Sequence, residues 1–144
     1  MNVDSIQNGI VIDHITAGKS MLLYDMLGLD SLDVSVAIMK NVPSQKMGRK
    51  DIIKIDADID IDLDVIGFVD PGATVNIIRS GSRIRKFTIP MPDTLINVIR
   101  CKNPRCITSV EQELKQIFVL TDRNKGIYRC RYCETRYELN HNLA

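Results

Sequence analysis

An α+β chain in two domains is the fold this sequence predicts, and three observations predict it. Strand and helix signals alternate through roughly the first ninety residues, Pro90-Met91-Pro92-Asp93 breaks that pattern, and all four cysteines fall in the part that follows. A length of 144 residues suits one ordinary domain or two small ones. The proline-rich break places the boundary near residue 92, giving domains 1–92 and 93–144.

Ile10–Ile15 is a short β-branched run and reads as the first strand. Ala17–Leu27 follows as a helix, with Leu22, Leu23, Met26 and Leu27 at helical spacing and Gly28 as its stop. Val34–Val42 is a second strand closed by Pro43-Ser44, and Asp51–Asp56 is a third. The turn chemistry of Lys46-Met47-Gly48-Arg49 makes these two a hairpin with a long loop. Leu63–Val69 is a short helix that ends before Pro71-Gly72, and Thr74–Ile78 and Arg83–Ile89 are strands around Ser80-Gly81-Ser82. The order β-α-β-β-α-β plus one extra strand matches the split βαβ, or ferredoxin-like, arrangement.

Composition and charge exclude several classes. With 44% hydrophobic and 26% charged residues the chain reads as soluble and globular. No apolar run approaches the ~20 residues that span a bilayer. The start, MNVDSIQNG, lacks the basic-then-apolar layout of a signal peptide. The expected location is therefore the cytoplasm, with no membrane partner. Residues 51–70 hold seven Asp against one Lys, whereas residues 79–105 hold seven Arg or Lys against Asp93 alone. Such a basic band is either a solvated face or a surface for phosphates, nucleic acid or an acidic protein.

Two motifs fail on inspection. Gly18-Lys19-Ser20 looks like the end of a P-loop, but Asp13 stands where the first glycine is required, and a carboxylate there would repel phosphates. The acidic run Asp56–Asp64 is not an EF-hand loop, because Ile61 and Gly67 occupy the Gly and Glu positions. It reads instead as a solvated connection into a helix whose N-terminus favours Asp.

The strong signal is Cys101-Lys-Asn-Pro-Arg-Cys106, then 23 residues, then Cys130-Arg-Tyr-Cys133. Two close pairs separated by an excursion suit two knuckles presenting four thiolates to one zinc, as in a small β-rich zinc-ribbon or rubredoxin-like module. Two disulfides are the rival reading, disfavoured in a reducing compartment. A module of ~50 residues buries little surface, so a metal would supply its stability. The zinc is expected to be structural; His141 lies beyond the cage. Zinc ribbons also read nucleic acid, and Tyr128, Tyr132 and Tyr137 beside Arg129, Arg131 and Arg136 keep that alternative open. Packing around the knuckles is the other use for those tyrosines.

Val11-Ile-Asp-His-Ile15, Met47-Gly-Arg-Lys-Asp-Ile-Ile-Lys-Ile55, Ala73-Thr-Val-Asn76 and the cysteine cage, in that order, resemble the regulatory chain of aspartate carbamoyltransferase over nearly the whole chain. The resemblance implies an N-terminal allosteric domain that binds ATP, CTP or UTP and a C-terminal zinc domain that docks on the catalytic chain. It implies regulatory homodimers joining catalytic trimers into a dodecamer of six chains of each kind, and no partner nucleic acid. By the same resemblance, Asp13 and Lys54 address the ribose, His14 and Lys86 lie near the phosphates, and Asn76 with the apolar or backbone groups of Ile6, Val11 and Ile12 surrounds the base. The resemblance also implies that Asn103, Tyr132 and Glu134 face the catalytic chain, together with Arg105, which departs from the small amide residue of the family and implies a contact suited to a different catalytic partner. The arginines of Arg79–Arg85 are more numerous than the family leads one to expect.

The residue types suit these roles. Ammonium groups are point-charge partners for phosphate, a carboxylate accepts from ribose hydroxyls, and imidazole donates from either ring nitrogen. In a regular strand, however, Asp13 and His14 face opposite sides, so both meet one ligand only if the strand ends or bulges there. No nucleophile–base pair stands out, so the expected function is non-catalytic: regulation of pyrimidine biosynthesis through unequal nucleotide binding to two states of an assembly. A nucleic-acid-binding zinc ribbon is the alternative.

Overall fold

The computed structural model describes residues 6–139; His141 and the first five residues of the N-terminal reading lie outside that range. The chain forms two compact units that divide between Pro90 and Met91.

The first unit runs β1 (Gly9–Thr16), α1 (Ser20–Met26), a 3₁₀ turn (Leu29–Ser31), β2 (Val36–Ser44), β3 (Gly48–Ile55), α2 (Leu63–Val69), β4 (Thr74–Arg79) and β5 (Ser82–Thr88). Its antiparallel sheet has the order β2-β3-β1-β4-β5, the split βαβ arrangement with β5 added at one edge. Strand alternation sends Ile10, Ile12, Ile53, Ile55 and Val75 to one face, where all are buried. Leu23 of α1 and Val65, Ile66, Phe68 and Val69 of α2 are buried too, and the two helices pack together. Each such side chain contributes roughly 1.5–3 kcal/mol by leaving water.

Three local features differ from the sequence reading. Helix α1 starts at Ser20 rather than Ala17, because Gly18 adopts φ +98° and Lys19 N–H closes a turn on Thr16 O at 3.0 Å. On its apolar face only Leu23 is fully buried; Leu22, Met26 and Leu27 are half-buried. The β2–β3 loop is short, since pairing continues through Pro43↔Arg49 to Ser44↔Gly48. A proline can stay inside β2 because β2 is an edge strand, with no second neighbour to need its missing donor.

Both neighbours of β3 slip register beside the same two residues, Asp51 and Ile52. β1 bulges between Ile12 and Ile15, and β2 between Met39 and Val42. Each bulge contains a residue in the left-handed region, His14 (φ 56°) and Asn41 (φ 58°), two residue types that tolerate it better than most. Asp51 is fully buried at this level. Its Oδ2 accepts from Gly18 N at 3.1 Å and Ser20 N at 3.3 Å, and its Oδ1 accepts from Asn41 N at 3.0 Å. Burial pushes this carboxyl's pKa up, but the hydrogen bonds from Ser20, Asn41 and Gly18 outweigh it and hold the group below its ordinary 3.8.

The second unit contains β6 (Thr94–Ile96), a one-turn helix α3 (Ile107–Val110), β7 (Ile117–Asp122), β8 (Ile127–Cys130) and β9 (Arg136–Glu138), with sheet order β6-β7-β8-β9. Leu95, Ile99, Phe118, Ile127 and Tyr128 form its small core. Tyr128 is fully buried and donates its hydroxyl to Pro92 O at 2.6 Å. Tyr137 meets Phe118 edge-on, with ring centroids 6.1 Å apart. Two of the three tyrosines therefore pack rather than offer a stacking surface.

Replacing Asp51 with Asn keeps the shape but turns an amino group or a neutral oxygen toward the backbone donors. Stability of the first unit should fall by about 1.5–3 kcal/mol at neutral pH. Because the folded pKa lies below 3.8, the charge contributes fully above that value and is lost as pH falls through the folded pKa. Urea unfolding should show the gap between wild type and D51N closing under acid. An equal gap at neutral pH and at acid pH would contradict the role of the charge.

Candidate ligand face and metal centre

The sheet face opposite the buried core carries a row of residues in direct register. Ala37 pairs with Lys54, Lys54 with Val11, Val11 with Asn76, and Asn76 with Lys86. Registered partners project to the same side, so Ala37, Lys54, Val11, Asn76 and Lys86 form one line across the five strands. Asn76 is buried and donates its amide to Val11 O at 3.1 Å. Ile6 is buried over the start of the same face: a Cβ added to Gly9 would lie 2.9 Å from Ile6 Cγ2. Ile12 alternates to the opposite face and is fully buried in the helix-covered core, so its side chain is not part of this line.

The bulge falls at Asp13 and His14, and of the two His14 lines the neighbouring cavity. β1 stays paired with β4 through Asp13↔Thr74, while on the β3 side two residues, Asp13 and His14, stand between partners of Ile53 and Asp51. Asp13 accepts from His14 N at 2.6 Å and pairs with Lys50 Nζ at 2.9 Å. Burial raises its pKa, but Lys50 and the His14 N–H outweigh that and leave the carboxyl lowered. His14 Nδ1 is buried without a hydrogen-bond partner among the described residues and lies 3.7 Å from Asp13 Oδ1. Beyond the end of β1–β4 pairing an open cavity of about 510 Å³ is lined by His14, Lys46, Thr74, Lys86, Phe87 and Thr88. That volume falls within the range of small-ligand sites.

Sequence reading left Lys46, Lys50 and Thr74 out of the site, Lys50 because it precedes the third strand as read from Asp51. Lys50 carried a readable signal: it lies four residues from Lys54 in one strand, hence on the same face. Two arginines of the basic band have local partners instead. Arg79 pairs with Asp58 at 2.6 Å, and Arg85 sits 4.4 Å over the Phe87 ring. The acidic run ends as a helix entry, where Asp62 accepts from Asp64 N at 3.1 Å and caps α2.

In the second unit the four cysteines are free thiols whose sulfurs all lie within 4.8 Å of one another. Cys101 and Cys133 are 3.5 Å apart, and Cys106 and Cys130 3.7 Å. A zinc tetrahedron with bonds of about 2.3 Å has sulfur–sulfur edges of about 3.8 Å, so the residues fit one structural zinc. The surroundings are those of thiolates. Backbone N–H groups of Cys133 and Tyr132 reach Cys130, and that of Thr135 reaches Cys133. The Thr108 hydroxyl donates to Cys106 Sγ at 3.1 Å, and Cys101 N is tied to buried Gln116 Oε1 at 2.9 Å. Burial and the neighbouring thiols push Cys101 up to about 12, the expected result of crowding like charges that a dication would offset.

The residues named for docking surround this cage. Asn103 builds it, accepting from Arg105 N at 3.0 Å through Oδ1 and reaching Cys133 with its side chain. Arg105 is exposed, Tyr132 is 39% exposed, and exposed Glu134 holds a left-handed φ of 64°.

Together the units define a class: a two-domain chain that joins an open split-βαβ sheet to a four-thiolate metal module. The family description "Aspartate carbamoyltransferase regulatory chain, allosteric domain" matches residues 1–90, and "Aspartate carbamoyltransferase regulatory chain, metal binding domain" matches residues 93–142. The chain is 46% identical over 137 residues to the aspartate carbamoyltransferase regulatory chain of Clostridium botulinum (strain Hall), covering 95% of this chain and 94% of that one. It is 44% identical to that of Clostridium tetani over 96% of this chain and 97% of the relative, and 45% identical to that of Bifidobacterium longum over 96% and 100%. The chain belongs to the aspartate carbamoyltransferase regulatory chain family, whose members are regulatory rather than catalytic subunits. Among the described residues, no helix is long and apolar enough to cross a membrane.

Stripping the metal with a chelator should unfold the second unit and leave the first folded, because the cage closes a core of few large side chains. Amide NMR spectra before and after chelation would show the loss confined to resonances from about residue 95 onward. Loss of both sets together, or of neither, would contradict this division of labour.

Proposed function

We propose that the chain binds ATP, CTP or UTP on the helix-free face of its first unit and transmits that binding to catalytic chains docked on its metal domain. The observation that carries the reading is the registered line Lys54–Val11–Asn76–Lys86, which ends beside the cavity at the Asp13–His14 bulge. Along it, Lys86 and His14 would hold phosphates, Asp13 and Lys54 would meet the ribose, and Asn76, Val11 and Ile6 would face the base. Ile12 would contribute through its backbone alone. Lys50 joins the set by keeping Asp13 charged and oriented.

The regulatory action is a coupling free energy. A nucleotide shifts the assembly only to the extent that it binds one state better than the other, typically by ~1–3 kcal/mol. Asn103, Arg105, Tyr132 and Glu134 would form the docking surface, beside a groove of about 350 Å³ lined by Val119, Thr121, Arg129, Arg131 and Glu134. Support comes from Glu134, an exposed side chain held where glycine is cheaper; such strain, of order 1–3 kcal/mol, tends to persist at working sites. Functionally the chain would divide near residue 92, pair as a homodimer, join catalytic trimers, and work in the cytoplasm on pyrimidine biosynthesis.

Lys86→Ala tests the site. In the assembled holoenzyme, nucleotide affinity should fall about tenfold, the worth of one charge-assisted contact, while assembly is unchanged. Calorimetric titration and light scattering read the two outcomes. Loss of assembly, or unaltered nucleotide affinity, would overturn the assignment.

A further inference from the structure

The cavity beside the β1 bulge has a wall that the family motifs do not supply. Lys46 lies on the Gln45-Lys46-Met47 turn between β2 and β3, yet it lines the same cavity as His14 and Lys86. The turn that carries it is a built one. Met47 N donates to Ser44 Oγ at 3.2 Å, Gly48 takes the left-handed φ of 78° that closes the hairpin, and Arg49 Nη1 bonds Asn41 O at 3.2 Å. Lys46 itself is exposed, and among the described residues no carboxylate lines the cavity with it. The lining is instead two ammonium groups, an imidazole, two threonines and a phenylalanine ring. That set suits a chain of several phosphates: threonine hydroxyls donate to terminal oxygens, and separated ammonium groups neutralise successive charges.

We propose that Lys46 is a third cationic contact of the phosphate cavity and sets its preference for the number of phosphates. The inference rests on the nucleotide-binding reading above and adds a residue and a selectivity to it. Lys86 and His14 come from the sheet itself and would meet any phosphorylated nucleoside. Lys46 reaches in from the hairpin turn and would act on the outermost phosphates, so its contribution grows with chain length. The chain would therefore favour triphosphates over diphosphates and monophosphates for reasons independent of the base.

Calorimetric titration of the zinc-loaded chain with ATP, ADP and AMP tests this, using wild type, Lys46→Ala, Lys46→Arg and Lys86→Ala. Lys46→Ala should lose about tenfold in ATP affinity and little in AMP affinity, and Lys46→Arg should restore most of the loss. An exposed turn position keeps the fold intact, which circular dichroism would verify. If wild type binds nucleotides and Lys86→Ala binds them about tenfold more weakly, but Lys46→Ala weakens ATP and AMP equally or not at all, the inference about Lys46 is overturned and the site stands. If wild type binds none of the three, the nucleotide reading and this inference fall together.

Discussion

Asp51 is shut off from solvent, and its two carboxylate oxygens accept three backbone N–H groups from segments that are otherwise irregular. Gly18 and Ser20 belong to the entry of α1, and Asn41 to the bulge in β2. A buried charge is tolerable only when it is satisfied in this way. In return, the carboxylate fixes where the helix begins and how β2 leaves regular pairing. It also fixes how β1 turns past Thr16, beside the bulge that sets His14 against the cavity. The candidate ligand face thus depends on a residue that does not lie on it: Asp51 projects to the helix side, while Lys50, Lys54 and Asp13 project to the other.

The second unit meets the same need for anchored irregular backbone by different means. Its knuckles are loops, and their donors converge on four sulfurs instead of one carboxylate. Gln116 and Asn97 link the first knuckle to the sheet, through Cys101 N to Gln116 Oε1 at 2.9 Å and Gln116 N to Asn97 Oδ1 at 2.9 Å. The unit's core is small, so a metal is the economical way to hold loops that carry exposed side chains. Each unit thus carries its own anchor for irregular backbone, a buried carboxylate in the first and a cluster of four cysteines in the second.

Much of this was readable from residue patterns. Leu63–Val69 is the second helix as read, and the strand order emerged from the alternation of elements. The cage followed from cysteine spacing, because zinc geometry constrains spacing tightly. What escaped reading was decided by long-range hydrogen bonds. Nothing in Thr16-Ala17-Gly18-Lys19 announces that Asp51, 33 residues away, will hold Gly18 out of the helix. Pro43 looked like a strand end because its neighbour count is a property of the sheet, and only the sheet order makes β2 an edge. Ile12 and Val11 were both named through the family resemblance, and strand alternation sends their side chains to opposite faces. Lys46 was invisible as a cavity residue because the hairpin's reach depends on its register.

The proposed role of the metal module is to join this chain to aspartate carbamoyltransferase catalytic subunits. Size-exclusion chromatography with light scattering, on the chain mixed with catalytic trimers with zinc and after chelation, tests it most directly. The expected result is a zinc-dependent complex of about two catalytic trimers to three regulatory dimers, a closed symmetric assembly. Free trimers and free regulatory chains under both conditions would contradict it.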